Sequence, residues 1–158
     1  NNVDTLVNQY FSKKYILIFP FCSPSLSHKK WPHFNKLIEI IKSKHSNFEI
    51  AVAPGPNETD EAKKINATIV LKNNNFINLM DLSGLIQGAS YIISNDTGPA
   101  HMAAHLGKSG TVIFGHHTTP KKVSIETEKF KSISSTQLKL LSPETVYLKI
   151  KDKLDLIN

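Results

Sequence analysis

The sequence contains no arginine; all 19 of its basic residues are lysines. Readers of nucleic acid rely on arginine's planar fork to grip bases and phosphates, whereas lysine supplies a point charge. A net charge of +6 and a pI of about 9.4 read first as a solvated lysine-rich surface and second as a surface for an anionic partner, but not as a sequence-specific nucleic-acid reader. The single cysteine, Cys22, excludes an internal disulfide framework and a cysteine-based zinc site within one chain. Long apolar runs are missing too: Tyr15–Phe19 is far too short to cross a bilayer. No secretory signal pattern opens the chain. Neither G-x-G-x-x-G nor G-x-x-x-x-G-K-[ST] occurs, which disfavours the usual dinucleotide and P-loop sites. His101 and His105 stand four apart, but Met102 sits where a zincin helix needs glutamate, and the adjacent His116 and His117 diverge in most backbones. No metal is expected. No His–Asp pair marks Cys22, so it is expected to be a buried, inert thiol.

What is present is an ordinary globular balance, 40% hydrophobic and 20% charged, in 158 residues, enough for one domain. Short β-rich runs alternate with longer helical ones. Strands are predicted at residues 15–19, 49–53, 68–71, 91–94, 111–114 and 130–134. Helices are predicted over residues 32–44 (Phe34, Leu37, Ile38 and Ile41 inward), from Asn57 or Thr59 to about Ile65, and over the segment marked by Leu79, Leu82 and Ile86, ending near Gly88. Another follows from His101 to Leu106. A last one is capped by Ser142 with Pro143 at its first position and carries Val146, Leu148, Ile150 and Leu154. Residues 1–14 form a leading segment with a short helix, and residues 15–158 the domain proper. This alternation implies an α/β fold with a parallel sheet flanked by helices. Ligands of such sheets bind beyond the carboxyl ends of the strands, so the candidate sites are residues 20–30, 54–58, 95–101 and 115–120.

The turn Asn95-Asp-Thr-Gly-Pro-Ala-His101 opens a helix with proline, which places Thr97 or Gly98 at the N-cap. Unpaired amides and the positive end of the helix dipole would then face an anion, and small Gly98 and Ala100 would let it approach. Asp96 would repel phosphate, so it either bonds sugar hydroxyls or braces the turn. The first turn carries three serines and two lysines between Pro20 and Pro32. It is either a diphosphate grip or an exposed loop anchored by Trp31. Glu58, after Pro54-Gly55-Pro56-Asn57, could chelate a ribose diol, but on its own it reads better as a helix-capping glutamate in the first turn of the next helix.

Together these motifs resemble the C-terminal half of glycosyltransferase family 9, the ADP-heptose:lipopolysaccharide heptosyltransferases. Lys29-Lys30-Trp31-Pro32 is similar to the family's K-R-W-P loop, and residues 54–58 to its G-G-P-x-E turn. Residues 94–104, Ser-Asn-Asp-Thr-Gly-Pro-Ala-His-Met-Ala-Ala, are similar to its N-D-T-G-P-x-H-x-A-A signature, and Phe114-Gly115 with Thr119-Pro120 to the F-G…P segment. The resemblance covers roughly residues 15–150. It implies one Rossmann-like half of a GT-B fold, the half that binds a nucleoside-diphosphate sugar without a metal. It implies that Lys29 and Ser23 contact the diphosphate, that Glu58 reaches the ribose, and that Asp96, Thr97, Gly98 and His101 meet the diphosphate and sugar. The general base and the glycolipid or glycan acceptor would belong to an N-terminal half. The setting implied is cytoplasmic, at the inner face of the bacterial inner membrane. The alternatives are a binding-only nucleotide-sugar module and another GT-B enzyme that uses a UDP-sugar. One departure is local: Phe21 and Cys22 replace the family's paired glycines, which would alter how closely the backbone approaches phosphate.

Overall fold

A computed structural model of the chain describes residues 2–115 and 124–157. Six strands, β1 (Tyr15–Phe19), β2 (Glu49–Val52), β3 (Thr68–Ile69), β4 (Tyr91–Asn95), β5 (Gly110–Phe114) and β6 (Phe130–Ser134), pair in parallel throughout. Their order across the sheet is β3-β2-β1-β4-β5-β6. The order reverses between β1 and β4, and at such a switch point the loops leaving the two strands diverge and open a crevice.

Helices cover both faces. Along β1, Ile16 and Ile18 face one apolar cluster, while Tyr15, Leu17 and Phe19 face the other, as the two-residue period of a strand dictates. The first cluster is closed by α2 (Phe34–Lys44) and by α6 (Pro143–Leu156), which pack against each other. The second is closed by α1 (Asn2–Tyr10), α4 (Leu79–Gly88) and α5 (Gly98–His105). β1, β4 and β5 are buried on both sides along their length, which is why their sequences are rich in consecutive apolar residues. All four inward residues expected of α2 are buried. Ser142 caps α6 by accepting the Thr145 N–H at 3.1 Å, with Pro143 behind it.

Several boundaries and faces differ from the sequence expectation. Pro32 and His33 form a turn ahead of α2, not its first helical residues. The helix after β2, α3, is a single turn, Thr59–Ala62, because Asn57 takes a positive φ of 65° and turns tighten the chain again after Lys63. On α4, Leu85 and Ile86 are buried with Asp81, while Leu79 and Met80 in the first turn stand in solvent. On α6, Leu148 is exposed. The third strand is shorter than residues 68–71, although Val70 N–H still reaches Val52 O at 2.9 Å.

The two loops at the switch point are fastened by one buried side chain. Asn95, the last residue of β4, is fully buried. Its Oδ1 accepts the Trp31 N–H at 3.0 Å, and its Nδ2 donates to Pro20 O at 2.9 Å. The amide thus holds both ends of the segment from Pro20 to Trp31. Trp31 is buried in turn, packs edge-on against Phe34, and donates its Nε1–H to Leu141 O at 2.9 Å. An unmade buried bond of this kind costs ~1–3 kcal/mol. Asn95→Ala orphans two backbone groups, so we expect a loss of roughly 2–4 kcal/mol, measured by chemical denaturation. A loss below half a kcal/mol would mean that the loop is held by other contacts.

Candidate functional site

A cleft of about 430 Å³ opens at the carboxyl ends of β1, β2 and β4. Four segments far apart in sequence build it: residues 21–29, residues 53–58, Ile77 with Leu82, and residues 96–101. All seven residues expected to bind a ligand line it: Ser23, Lys29, Glu58, Asp96, Thr97, Gly98 and His101. The last candidate turn, residues 115–120, with its Thr119-Pro120 motif and His116-His117, lies outside the described residues beyond Gly115.

The centre of the cleft is Asp96, whose side chain is 5% exposed. Lys29 Nζ lies 3.4 Å from Oδ2, and His101 Nε2 lies 3.5 Å from Oδ1. The carboxylate therefore holds one side chain from the β1 loop and one from α5. Thr97 is the N-cap of α5 in extended conformation, and its carbonyl accepts the Ala100 N–H at 3.1 Å. Beneath it, Ser94 Oγ donates to Asn95 O at 2.6 Å. Pro99 has no N–H to place, and Gly98 occupies the first helical position, where an amide has no partner within the helix. A Cβ built on Gly98 would meet nothing within 4 Å, so the space beside its Cα is open.

Glu58 braces its own turn: its Oε1 accepts the Gly55 N–H at 2.7 Å. The carboxylate keeps acceptor capacity beyond that one bond. Lys30, next to Lys29, points elsewhere and pairs with Glu61 of α3 beside a separate hollow. Adjacent lysines thus have different surroundings, set by Trp31 locking the loop's end.

Cys22 departs from expectation. It is half-buried and lines the cleft, with Sγ donating to Leu26 O at 3.3 Å. Burial pushes its thiol above the ordinary value, Glu58 adds to this, and Lys30 and Lys29 oppose it. Phe21 turns into the core beside Trp31, yet also edges the cleft. Where the resemblance has two glycines, this chain has one core anchor and one cleft-facing thiol.

Two features escaped the sequence reading. Asn95 was part of a recognised motif with no role of its own, although an amide ending an apolar strand is a signal of a buried clamp. The apolar wall of Phe19, Phe21, Ile77 and Leu82 gathers residues that look like plain core in their own segments. Among the described residues, no three His, Cys, Asp or Glu side chains cluster to hold a metal ion. No helix of the described residues is long and apolar enough to cross a membrane.

Comparison with known proteins agrees with this geometry. The family model described as glycosyltransferase family 9 (heptosyltransferase) matches residues 2–151. The lipopolysaccharide core heptosyltransferase OpsX of Haemophilus influenzae is 30% identical over 112 residues, covering 68% of this chain and 32% of OpsX. The structure of Escherichia coli ADP-heptose lipopolysaccharide heptosyltransferase II superimposes with a TM-score of 0.77 at 18% identity, over 98% of this chain and 51% of that one. E. coli heptosyltransferase WaaC, solved with ADP, gives 0.77 at 20% identity, over 95% and 48%. The chain thus spans about a third of the curated relative and about half of each solved structure. Its sheet order and these superpositions make it one Rossmann-like half of a GT-B fold, and the match over residues 2–151 places it in glycosyltransferase family 9, the heptosyltransferase family.

Proposed function

We propose that this chain is the donor-binding half of a heptosyltransferase-like enzyme. Joined to an N-terminal half, it would transfer a sugar, heptose by family analogy, from a nucleoside-diphosphate sugar to a lipopolysaccharide-type acceptor. The observation that carries this reading is the convergence of seven residues from three separate loops on one cleft at the switch point of the sheet. WaaC, a structural relative, has been solved with ADP and with ADP-2-deoxy-2-fluoro heptose, which is the ligand class the cleft suits.

The chemistry follows from the arrangement. As the glycosidic bond to the donor phosphate breaks, the sugar becomes cation-like and negative charge collects on the departing diphosphate. Donors fixed before the reaction stabilise that charge without reorganising. Lys29, the Ser23 hydroxyl and the Gly98 N–H would supply them here, with the positive end of α5 behind, and without a metal. Glu58 would accept from a ribose hydroxyl through its spare acceptor capacity. The wall of Phe19, Ile77 and Leu82 would cover the base. Asp96 would hold Lys29 and His101 in position and present acceptors to the sugar side. No carboxylate or imidazole in this reading acts as the general base for the acceptor; that group belongs to the other half. The working place would be the cytoplasmic face of the inner membrane.

Two outcomes are expected. Calorimetric titration with ADP, UDP and GDP should show that the 158-residue chain binds a nucleoside diphosphate, while an assay with a sugar nucleotide and acceptor shows no transfer. Silence at millimolar nucleotide, or sustained transfer by this chain alone, contradicts the reading. Lys29→Ala should weaken binding about tenfold or more, since a charge-assisted hydrogen bond is worth ~1.5–3 kcal/mol. Lys30→Ala should change it far less, because Lys30 pairs with Glu61 outside the cleft. Equal losses at both positions would reduce the loop to a diffuse basic patch.

A further inference from the structure

Among the described residues, the side-chain charges lining the cleft offer an anion less than its backbone donors do. Among the described lining residues, Lys29 carries one positive charge, and Asp96 and Glu58 carry one negative charge each. The Cys22 thiol, its proton held by burial, adds none. With a neutral imidazole at His101, these described residues sum to one net negative charge. Lys30 does not correct this, because it is engaged with Glu61. On α4, which packs against α5, Asp81 is paired with Lys72, and His105 lies one helical turn further along α5, exposed. Among the described lining residues, His101 is the group whose side-chain type can add positive charge near neutral pH. It is placed to do so: its Nε2 is 3.5 Å from Asp96 Oδ1, and Lys29 occupies the other oxygen.

We infer that binding of a nucleoside diphosphate is coupled to uptake of a proton by His101, with Asp96 as the positioning residue that holds the imidazolium against the bound anion. The inference rests on the donor-cleft reading above. The step is an acid–base one: water or buffer supplies a proton to the imidazole, and no bond to the ligand forms or breaks. A diphosphate would bring negative charge beside the ring, and an opposite charge nearby favours the charged form. The proton affinity of His101 must then be higher in the complex than in the free protein. The sign follows. The extra affinity is fully present below the pH at which the free ring titrates, and it is lost as pH rises through the titration of the bound ring. For one proton the affinity falls by at most about tenfold per pH unit.

The test uses ADP and the whole chain at pH 8, where the terminal phosphate of the nucleotide is already ionised. Calorimetry in HEPES, Tricine and Tris gives the number of protons taken up per ADP from the dependence of the heat on buffer ionisation enthalpy. Equilibrium dialysis reports binding separately. We expect net uptake by the wild-type chain, its loss in His101→Gln with ADP still bound more weakly, and a shift of the uptake to lower pH in Asp96→Asn. An NMR titration of the His101 ring needs no variant, and its midpoint should move up when ADP is saturating. If dialysis shows ADP bound but calorimetry shows no uptake and the ring's midpoint does not move, the coupling is wrong while the donor-cleft reading stands. Undiminished uptake in His101→Gln assigns the proton elsewhere and also overturns it. No ADP bound at millimolar concentration overturns both.

Discussion

The site depends on a buried amide that must be satisfied. Asn95 ends a central strand with its side chain cut off from water, so its oxygen and its NH₂ both need partners. They find them at Trp31 N–H and Pro20 O, the two ends of the β1 loop. Aspartate would lose the donor and bury a charge, and alanine would orphan both backbone groups. Loops that carry function are usually the softest part of a sheet protein. Here the loop bearing Ser23 and Lys29 is pinned at both ends to the strand that launches α5. The Lys29–Asp96 contact follows from that pinning.

This division of labour explains the contrasting neighbours within short stretches. Trp31 enters the core and its predecessor Lys30 turns to Glu61, while Lys29 turns to Asp96. Phe21 is a core anchor and Cys22 meets the cleft. A few buried side chains at the ends of the loop set which charges reach a ligand. With no arginine in the chain, positive charge in the cleft comes from lysine, a helix terminus and a titratable imidazole. Electrostatics in such a cleft is adjustable by pH in a way that arginine's permanent charge would not allow.

Much of the fold was legible because it is periodic. Short apolar runs, such as Tyr15–Phe19, marked the buried strands, and Phe34, Leu37, Ile38 and Ile41 marked α2 with its inward face. Ser142-Pro143 marked the start of α6. Misreadings came where tertiary context decides. Leu79 fits a helical stripe, yet it stands in solvent at the start of α4 while Asp81 in the same turn is buried. The turn at Asn57 and the tightening after Lys63 cut α3 to one turn. The site was legible as a set of strand-end turns, but not as one cleft. Strand order is a non-local property, and only the reversal between β1 and β4 shows which turns meet. Glu58 reads alike as a helix cap and as a ligand contact; it stands at the N-cap of α3 but makes no side-chain cap bond, and its carboxylate instead accepts the Gly55 N–H of the preceding turn.

The central claim is that one cleft at the switch point, assembled by Asn95, receives the nucleotide. Mapping ADP-induced amide chemical-shift changes across the ¹⁵N-labelled chain tests it most directly. The account predicts changes concentrated at Ser23, Lys29, Gly55, Glu58 and residues 96–101, with the Asn95 side-chain NH₂ resonances retained. Changes centred on the opposite edge of the sheet, or spread evenly over the surface lysines with no cluster at residues 96–101, would contradict it.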